Sequence, residues 1–181
     1  MTTDASLECW YALKVFYNRV FQIESVLKER NVEIYIPLRS VERVVQGRKV
    51  RRRIPAIASL MFMRCQEELA GEIQRELRGQ AMTYTDRETH SPYAIPEEQM
   101  RRFIQITSLE DQGLEYLGEP KQEWTTGQRV RVTGGIFKGT EGYIHRIKGN
   151  HRLIVAIEGV VAVATSYIPS AFLEPIAQEA Q

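Results

Sequence analysis

GQRVRVTGGIFKGTEGYI, residues 127–144, decides how the second half of the chain folds. Val130 and Val132 alternate with Arg129 and Arg131, the period-two pattern of a half-buried strand. Gly134-Gly135 interrupts the run, and a further strand is expected from Gly142-Tyr143-Ile144. Between them Phe137-Lys138-Gly139 reads as a tight loop in which Gly139 takes a positive φ at little cost. Two more apolar runs follow, Leu153 to Ile157 and Val160 to Ala164. Together they predict a small barrel of about five short strands.

Towards the amino terminus the pattern changes. Cys9 to Val15 (CWYALKV) reads as a strand, rich in aromatic and β-branched residues. Asn18 is the expected cap of a helix carrying Val20, Ile23, Val26 and Leu27 at helical spacing, and Asn31 its expected end. Val32 to Ile36 is a second strand. Leu38–Val45 and Lys49–Arg53 flank Gln46-Gly47, the expected tip of a hairpin arm. Ile57 to Met63 reads as a core strand. Leu69, Ile73 and Leu77 mark a second helix closed by Gly79, and Ala81 to Thr85 a short strand. Pro96 with Glu97-Glu98 opens a third helix, whose buried face is expected from Met100, Phe103 and Ile104.

This order predicts an α+β domain over residues 7–110, helices packed on an antiparallel sheet, followed by a β-barrel domain at 124–176. Asp111 to Glu123 carries four acids, one lysine, Gly113, Gly118 and Pro120, and reads as an acidic linker. The flanking stretches are mildly basic. Residues 7–110 hold 17 basic and 14 acidic side chains, and residues 124–175 hold six and three, so each nets +3. Neither is basic enough for strong unaided binding to duplex nucleic acid.

No apolar run approaches the roughly 20 residues that span a bilayer. MTTDASLE lacks the basic start and apolar stretch of a secretion signal, so no membrane association and a cytoplasmic location are expected. Cys9 and Cys65 cannot build a disulfide framework and are expected to stay reduced. His90, His145 and His151 sit in no catalytic or metal-binding spacing, and Gly134-Gly135 with Lys138 does not complete a phosphate loop. An enzyme, a metal and a cofactor are therefore not expected.

The glycine rhythm of residues 127–144 resembles the KOW motif of ribosomal proteins and of NusG-family transcription factors. WYALKVFYNR (10–19) resembles the first strand and helix start of the NusG amino-terminal domain. IPLRSVERVVQGRKV (36–50) resembles its second strand and hairpin, IASLMFM (57–63) its central strand, and PYAIPEEQMRRF (92–103) its closing helix. VVQGRKVRRRIPAIASLMFMRC (44–65) is most similar to the specialised paralogues, such as the UpxY-type antiterminators of capsular polysaccharide clusters. Ile57 stands where the family commonly has an aromatic, and Ala58 where it usually has proline, which implies a smaller contact and a less rigid start to that strand.

The resemblance implies a monomeric antitermination or elongation factor. It would present an apolar depression to the clamp helices of the largest RNA polymerase subunit, with Ile57, Leu60 and Tyr84 as candidates. Phe62 is a further candidate, or a core residue. Phe16, Tyr17, Asn18, Arg19 and Arg78 are the implied contacts to non-template DNA, aromatic rings stacking on unpaired bases and arginine holding phosphate. Phe16 reads equally as a hydrophobic staple at a helix start. Between Arg39 and Arg53 seven basic residues face one Glu42. Arg48, Lys49, Arg51, Arg52 and Arg53 form either a solvated hairpin face or, as the resemblance implies, an arm that reaches toward the opposite polymerase pincer or upstream DNA, where they add salt-dependent attraction to phosphate. For the KOW barrel the implied partner is a ribosomal protein or a termination factor. The competing function is a ribosome-associated RNA-binding KOW protein, which calls for a more basic carboxyl module than +3 over 52 residues.

Overall fold

The computed structural model describes residues 7–109, 113–124 and 126–177. In chain order these form β1 (Cys9–Val15), α1 (Val20–Glu29), β2 (Glu33–Tyr35), β3 (Leu38–Val45), β4 (Arg48–Pro55), β5 (Leu60–Cys65), α2 (Glu67–Glu76), β6 (Ala81–Thr83) and α3 (Glu97–Thr107). Then come β7 (Glu115–Gly118), β8 (Arg129–Val132), β9 (Glu141–Ile147), β10 (Asn150–Ile157), β11 (Val161–Ala164) and β12 (Leu173–Pro175). The fold is α+β, and its strand pairings are antiparallel. One sheet has the order β2-β5-β1-β6, a second β12-β8-β9-β10-β11-β7, and the hairpin β3-β4 stands by itself. The chain divides into two compact units, Met1–Glu97 and Glu98–Gln181.

In the first unit, β1 and β5 form the sheet centre, with Leu13 opposite Met61 and Tyr11 opposite Met63. Alternation sends Tyr11, Leu13, Val15, Met61, Met63 and Cys65 to one face. There they pack with Val20, Ile23 and Leu27 of α1 and Ala70 and Ile73 of α2. Each fully buried aliphatic of this layer contributes about 1.5–3 kcal/mol. Cys9 and Cys65 stand opposite each other at one end of the strand pair, and both are free thiols. Burial, and then the nearby Glu8 and Cys9, pushes the Cys65 thiol up to about 11.

Two expectations for this unit shift. The core strand begins at Leu60 instead of Ile57, because residues 56–59 turn: the Ala56 N–H donates to Pro37 O at 2.8 Å and Leu60 N–H to Ile57 O at 3.2 Å. Asn18 does not cap α1. The cap position is Arg19, without a side-chain hydrogen bond. The reason lies in the sheet. Val15 N–H donates to Ser59 O and Phe16 N–H to Gln80 O, each at 2.8 Å, so the chain is held extended to Phe16. Tyr17 and Asn18 must then reverse it before Val20, and both adopt left-handed backbone, at φ 57° and 55°. Asn31, at φ 58°, does end α1.

The hairpin follows the sequence closely. Gln46 and Gly47 both have positive φ, the two-residue turn whose twist matches its strands, and eight pairs join Leu38 with Pro55 through Val45 with Arg48.

In the second unit, α3 buries Met100, Phe103, Ile106 and Thr107, while Ile104 stays only half-buried. Gly139 takes φ +86° in the loop between β8 and β9. Part of the expected linker is sheet: β7 pairs with β11, and Glu115 accepts a 2.6 Å hydrogen bond from Arg152 of β10. β12 pairs with β8 and completes the six strands. Glu141 is the hub of an ion cluster, with Arg131 at 2.6 Å, Arg129 at 3.1 Å and Arg102 at 3.4 Å. Burial pushes its carboxyl up. The Arg131 hydrogen bond and the charges of Arg102, Arg131 and Arg129 outweigh that and hold it below the usual carboxylate range.

Candidate nucleic-acid interface

The turn from β1 into α1 projects side chains that the core does not need. Tyr17 is 79% exposed, and the Arg19 guanidinium carbon lies 5.7 Å from its ring centroid, within cation–π distance. Phe16, half-buried, meets Tyr17 edge-on at 6.4 Å. Consecutive non-glycine residues in the left-handed region cost about 1–3 kcal/mol each. The sheet bonds at Val15 and Phe16 enforce that conformation and hold the tyrosine ring out in solvent. The Phe16–Gln80 hydrogen bond also brings this turn against the turn after α2, where Arg78 is exposed. The backbone of the turn carrying Phe16, Tyr17, Asn18 and Arg19 is thereby joined to the turn that carries Arg78, although α2 and β1 are far apart in sequence.

α1 adds a residue that the sequence reading does not single out. Its first-turn N–H groups lack a side-chain cap, and Phe21 in that turn is 46% exposed. The available signal is an aromatic out of register with the buried stripe Val20, Ile23, Leu27. Its neighbour Val20 is a core residue, so the local sequence looks like ordinary helix.

The basic hairpin residues are exposed, but they do not share one face. Arg51 stands opposite Glu42 and Arg53 opposite Ser40, whereas Arg52 stands opposite Val41 and Arg48 opposite Val45. Alternation puts Lys49, Arg51 and Arg53 on one side and Arg48 and Arg52 on the other. Lys49 reaches Glu42 at 3.7 Å.

The expected apolar depression is distributed differently. Leu60 and Phe62 lie on the sheet face opposite α1 and α2, with Trp10 and Ala12, and are buried to 3% and 0% exposure. Tyr84, whose N–H donates to Ala12 O at 3.0 Å, follows β6 towards that same face and is half-buried. Tyr35 packs on Phe62 with ring centroids 6.4 Å apart. Ile57 is half-buried in the turn before β5. Leu60 and Phe62 thus belong to the core, and the accessible candidates are Ile57 and Tyr84. Among the described residues no group of three or more His, Cys, Asp or Glu side chains could hold a metal ion, and no helix is long and apolar enough to cross a membrane.

The family described as "Transcription termination factor nusG" matches residues 8–104, more than half of the 181-residue chain. The chain belongs to the NusG family. It is a transcription factor of that family, with an α+β amino-terminal domain followed by a unit built on a six-stranded antiparallel sheet. The NusG match runs into α3, so the family's amino-terminal domain includes a helix that compactness alone groups with the second unit. Among solved structures the chain is similar to one described as "Domain interaction in Thermotoga maritima NusG". The identity is 16%, the match covers 94% of this chain and 98% of that chain, and the TM-score is 0.49. No curated protein matches the chain.

Proposed function

We propose that this NusG-family protein binds RNA polymerase through its amino-terminal domain and promotes processive, antiterminated transcription of selected operons, in the manner of the specialised paralogues that serve capsular polysaccharide clusters. Its functional domains are residues 7–110 and 124–176, and the stretch 111–123 between them lends β7 to the sheet of the second. Ile57 and Tyr84 meet the clamp helices, and Leu60 and Phe62 set the shape of that face from below. By preferring the closed, elongating polymerase to the paused one, the factor shifts that equilibrium by its difference in affinity.

One observation carries the operon-selective part of this reading: the strained turn that holds Tyr17, with Arg19 against its ring, in solvent. An exposed ring with one guanidinium group against it suits unpaired bases, at about 1–3 kcal/mol per stacked base. That is too little to recruit the factor alone. It becomes selective once polymerase holds the turn beside the non-template strand. The protein works in the cytoplasm as a monomer, and its KOW barrel engages a ribosomal protein or termination factor.

In vitro transcription tests this. Wild type is expected to raise terminator readthrough on templates carrying its own leader and not on scrambled leaders, with Tyr17→Ala and Arg19→Ala removing the difference. Equal readthrough on both leaders would leave a general elongation factor and end the selective reading.

A further inference from the structure

The chain has two cysteines, Cys9 and Cys65, and the first sheet sets them face to face. Cys9 opens β1, Cys65 closes β5, and together they form the end rung of that strand pair. Both side chains lie on the face that packs against α1 and α2. The Val15 N–H donates to Ser59 O, which directs the backbone groups of the odd-numbered β1 residues towards β5. Cys9 and Cys65 are therefore a hydrogen-bonded pair, whose Cα atoms in an antiparallel ladder stand about 5.5 Å apart. That separation falls inside the window of about 4.4–6.8 Å that a disulfide spans.

The two thiols differ in access. Cys9 is half-buried and lines a cleft of about 580 Å³ with Tyr11, Glu67, Asp86, Pro92 and Tyr93. Leu7, 82% exposed, lines the same cleft where it meets solvent. Cys9 Sγ lies 3.9 Å from Leu7 O, and its side chain hydrogen-bonds that of Tyr11. Burial first, and then Cys9 and Glu67, pushes the Tyr11 hydroxyl up to about 12, so it keeps its proton and donates to the sulfur. Cys65 lies beneath at 2% exposure, and its thiol, raised chiefly by burial, keeps its proton at neutral pH. A small oxidant entering the cleft meets Cys9 first.

We infer that Cys9 and Cys65 are a reversible, hydroperoxide-sensitive dithiol, in which Cys9 reacts with the oxidant and Cys65 closes the disulfide. This chemistry is independent of polymerase or nucleic-acid binding. In the first step the Cys9 sulfur attacks one oxygen of hydrogen peroxide. An S–O bond forms, the O–O bond breaks, and the second oxygen leaves with the Cys9 proton as water. In the second step the Cys65 sulfur attacks the Cys9 sulfur. The S–S bond forms, the S–O bond breaks, and the hydroxyl leaves with the Cys65 proton as water. Two thiols lose two electrons, and one peroxide gains them.

The pair's place in the sheet makes the bond labile. Opposed Cβ atoms in an antiparallel ladder lie about 4.5–5.5 Å apart, closest in pairs without hydrogen bonds, whereas a disulfide holds them at about 3.5–4.5 Å. Closing the bond must therefore draw the rung together by roughly 1 Å. An end rung can give in this way, because Cys65 leads through Gln66 straight into α2 and Leu7 and Glu8 precede Cys9 outside the sheet. A disulfide strained like this is more easily reduced than a structural one, as a reversible modification in a reducing compartment requires.

The test treats the reduced full chain with hydrogen peroxide and reads intact mass, peptide maps and free thiols. Wild type is expected to lose two hydrogens and both thiols, to give a Cys9–Cys65 cross-linked peptide within a single chain, and to recover both thiols with reduced glutathione. Cys65→Ala is expected to leave Cys9 as a sulfenic acid that dimedone labels, whereas Cys9→Ala leaves Cys65 unlabelled. Circular dichroism checks the fold of each variant, and the wild-type map decides the outcome if Cys65→Ala does not fold. Four results would each overturn the inference: sulfinic acid at Cys9 without the cross-linked peptide, disulfides between chains only, faster oxidation of Cys65 than of Cys9, or a native disulfide that glutathione does not reduce.

Discussion

Replacing Gly142 with alanine tests the packing of the six-stranded sheet of the second unit at one atom. Gly142 lies in β9 opposite Val130 of β8, with φ outside the left-handed region, so nothing about its own backbone demands glycine. The demand comes from β10. A Cβ built on Gly142 falls well inside contact distance of the Ile154 carbonyl oxygen, and 3.1 Å from both the Ile154 carbonyl carbon and Leu153 Cγ. An ordinary C···O contact is about 3.3–3.6 Å, so the overlap is about 1 Å. It cannot be relieved by rotating a side chain, because the obstacle is the backbone of a strand paired on both sides, to β9 and β11. β9 and β10 must part locally. Overpacking of this kind costs about 1–3 kcal/mol, and a lost ladder bond adds about 1 kcal/mol. We expect about 3 kcal/mol, or a Tm lower by about 12–24 °C for a unit of this size. Thermal melting of the full chain reads the shift, and amide exchange over residues 153–157 localises it. Gly149 is the control. It has φ +82° and nothing within 4 Å, so Gly149→Ala carries only the left-handed cost of about 1–2 kcal/mol. A Gly142→Ala melt within about 2 °C of wild type, or a larger loss at Gly149, would refute this account of the barrel.

Gly71 offers the opposite sign. It lies inside α2 with open space where a Cβ would go, so Gly71→Ala is expected to stabilise the first unit by about 0.5–1 kcal/mol, read as a rise in denaturation midpoint at unchanged m-value. Acid should weaken the second unit. Glu98, Glu115 and Glu141 are all held below the usual carboxylate range, Glu98 and Glu115 chiefly by hydrogen bonds from Arg101 and Arg152, and Glu141 by its arginines against its own burial. A depressed carboxyl contributes stability that is complete above its unfolded pKa and lost as pH falls through its folded one. Denaturant titrations should therefore show stability flat at neutral pH and falling below the ordinary glutamate range. Glu141→Gln should be less stable at neutral pH and have a shallower acid slope; an unchanged slope would remove Glu141 from the cause.

The sequence by itself determined whatever rests on local periodicity and turn chemistry. β1 runs over Cys9–Val15 as its residue types imply, Gln46-Gly47 makes the hairpin tip, and Gly139 takes its positive φ. These features depend on neighbours a few positions apart. What the tertiary structure decided depends on distant partners. The sheet bonds to Ser59 and Gln80 place the left-handed pair at Tyr17 and Asn18, move the cap to Arg19 and join this turn to the one after α2. β7 joins the barrel sheet from a stretch whose acids and glycines look like connector, because β11 offers an open edge to pair. Leu60 and Phe62 sit in the unbroken apolar run Leu60–Met63, which already reads as a core strand; only the sheet register shows that they face away from α1 and α2 and leave Ile57 and Tyr84 as the accessible candidates. Gly142 needs to be glycine for a carbonyl twelve residues away. A chain encodes its strands and turns in short patterns, whereas accessibility, strain and close approach are properties of pairs brought together by folding, and those pairs make up the candidate site.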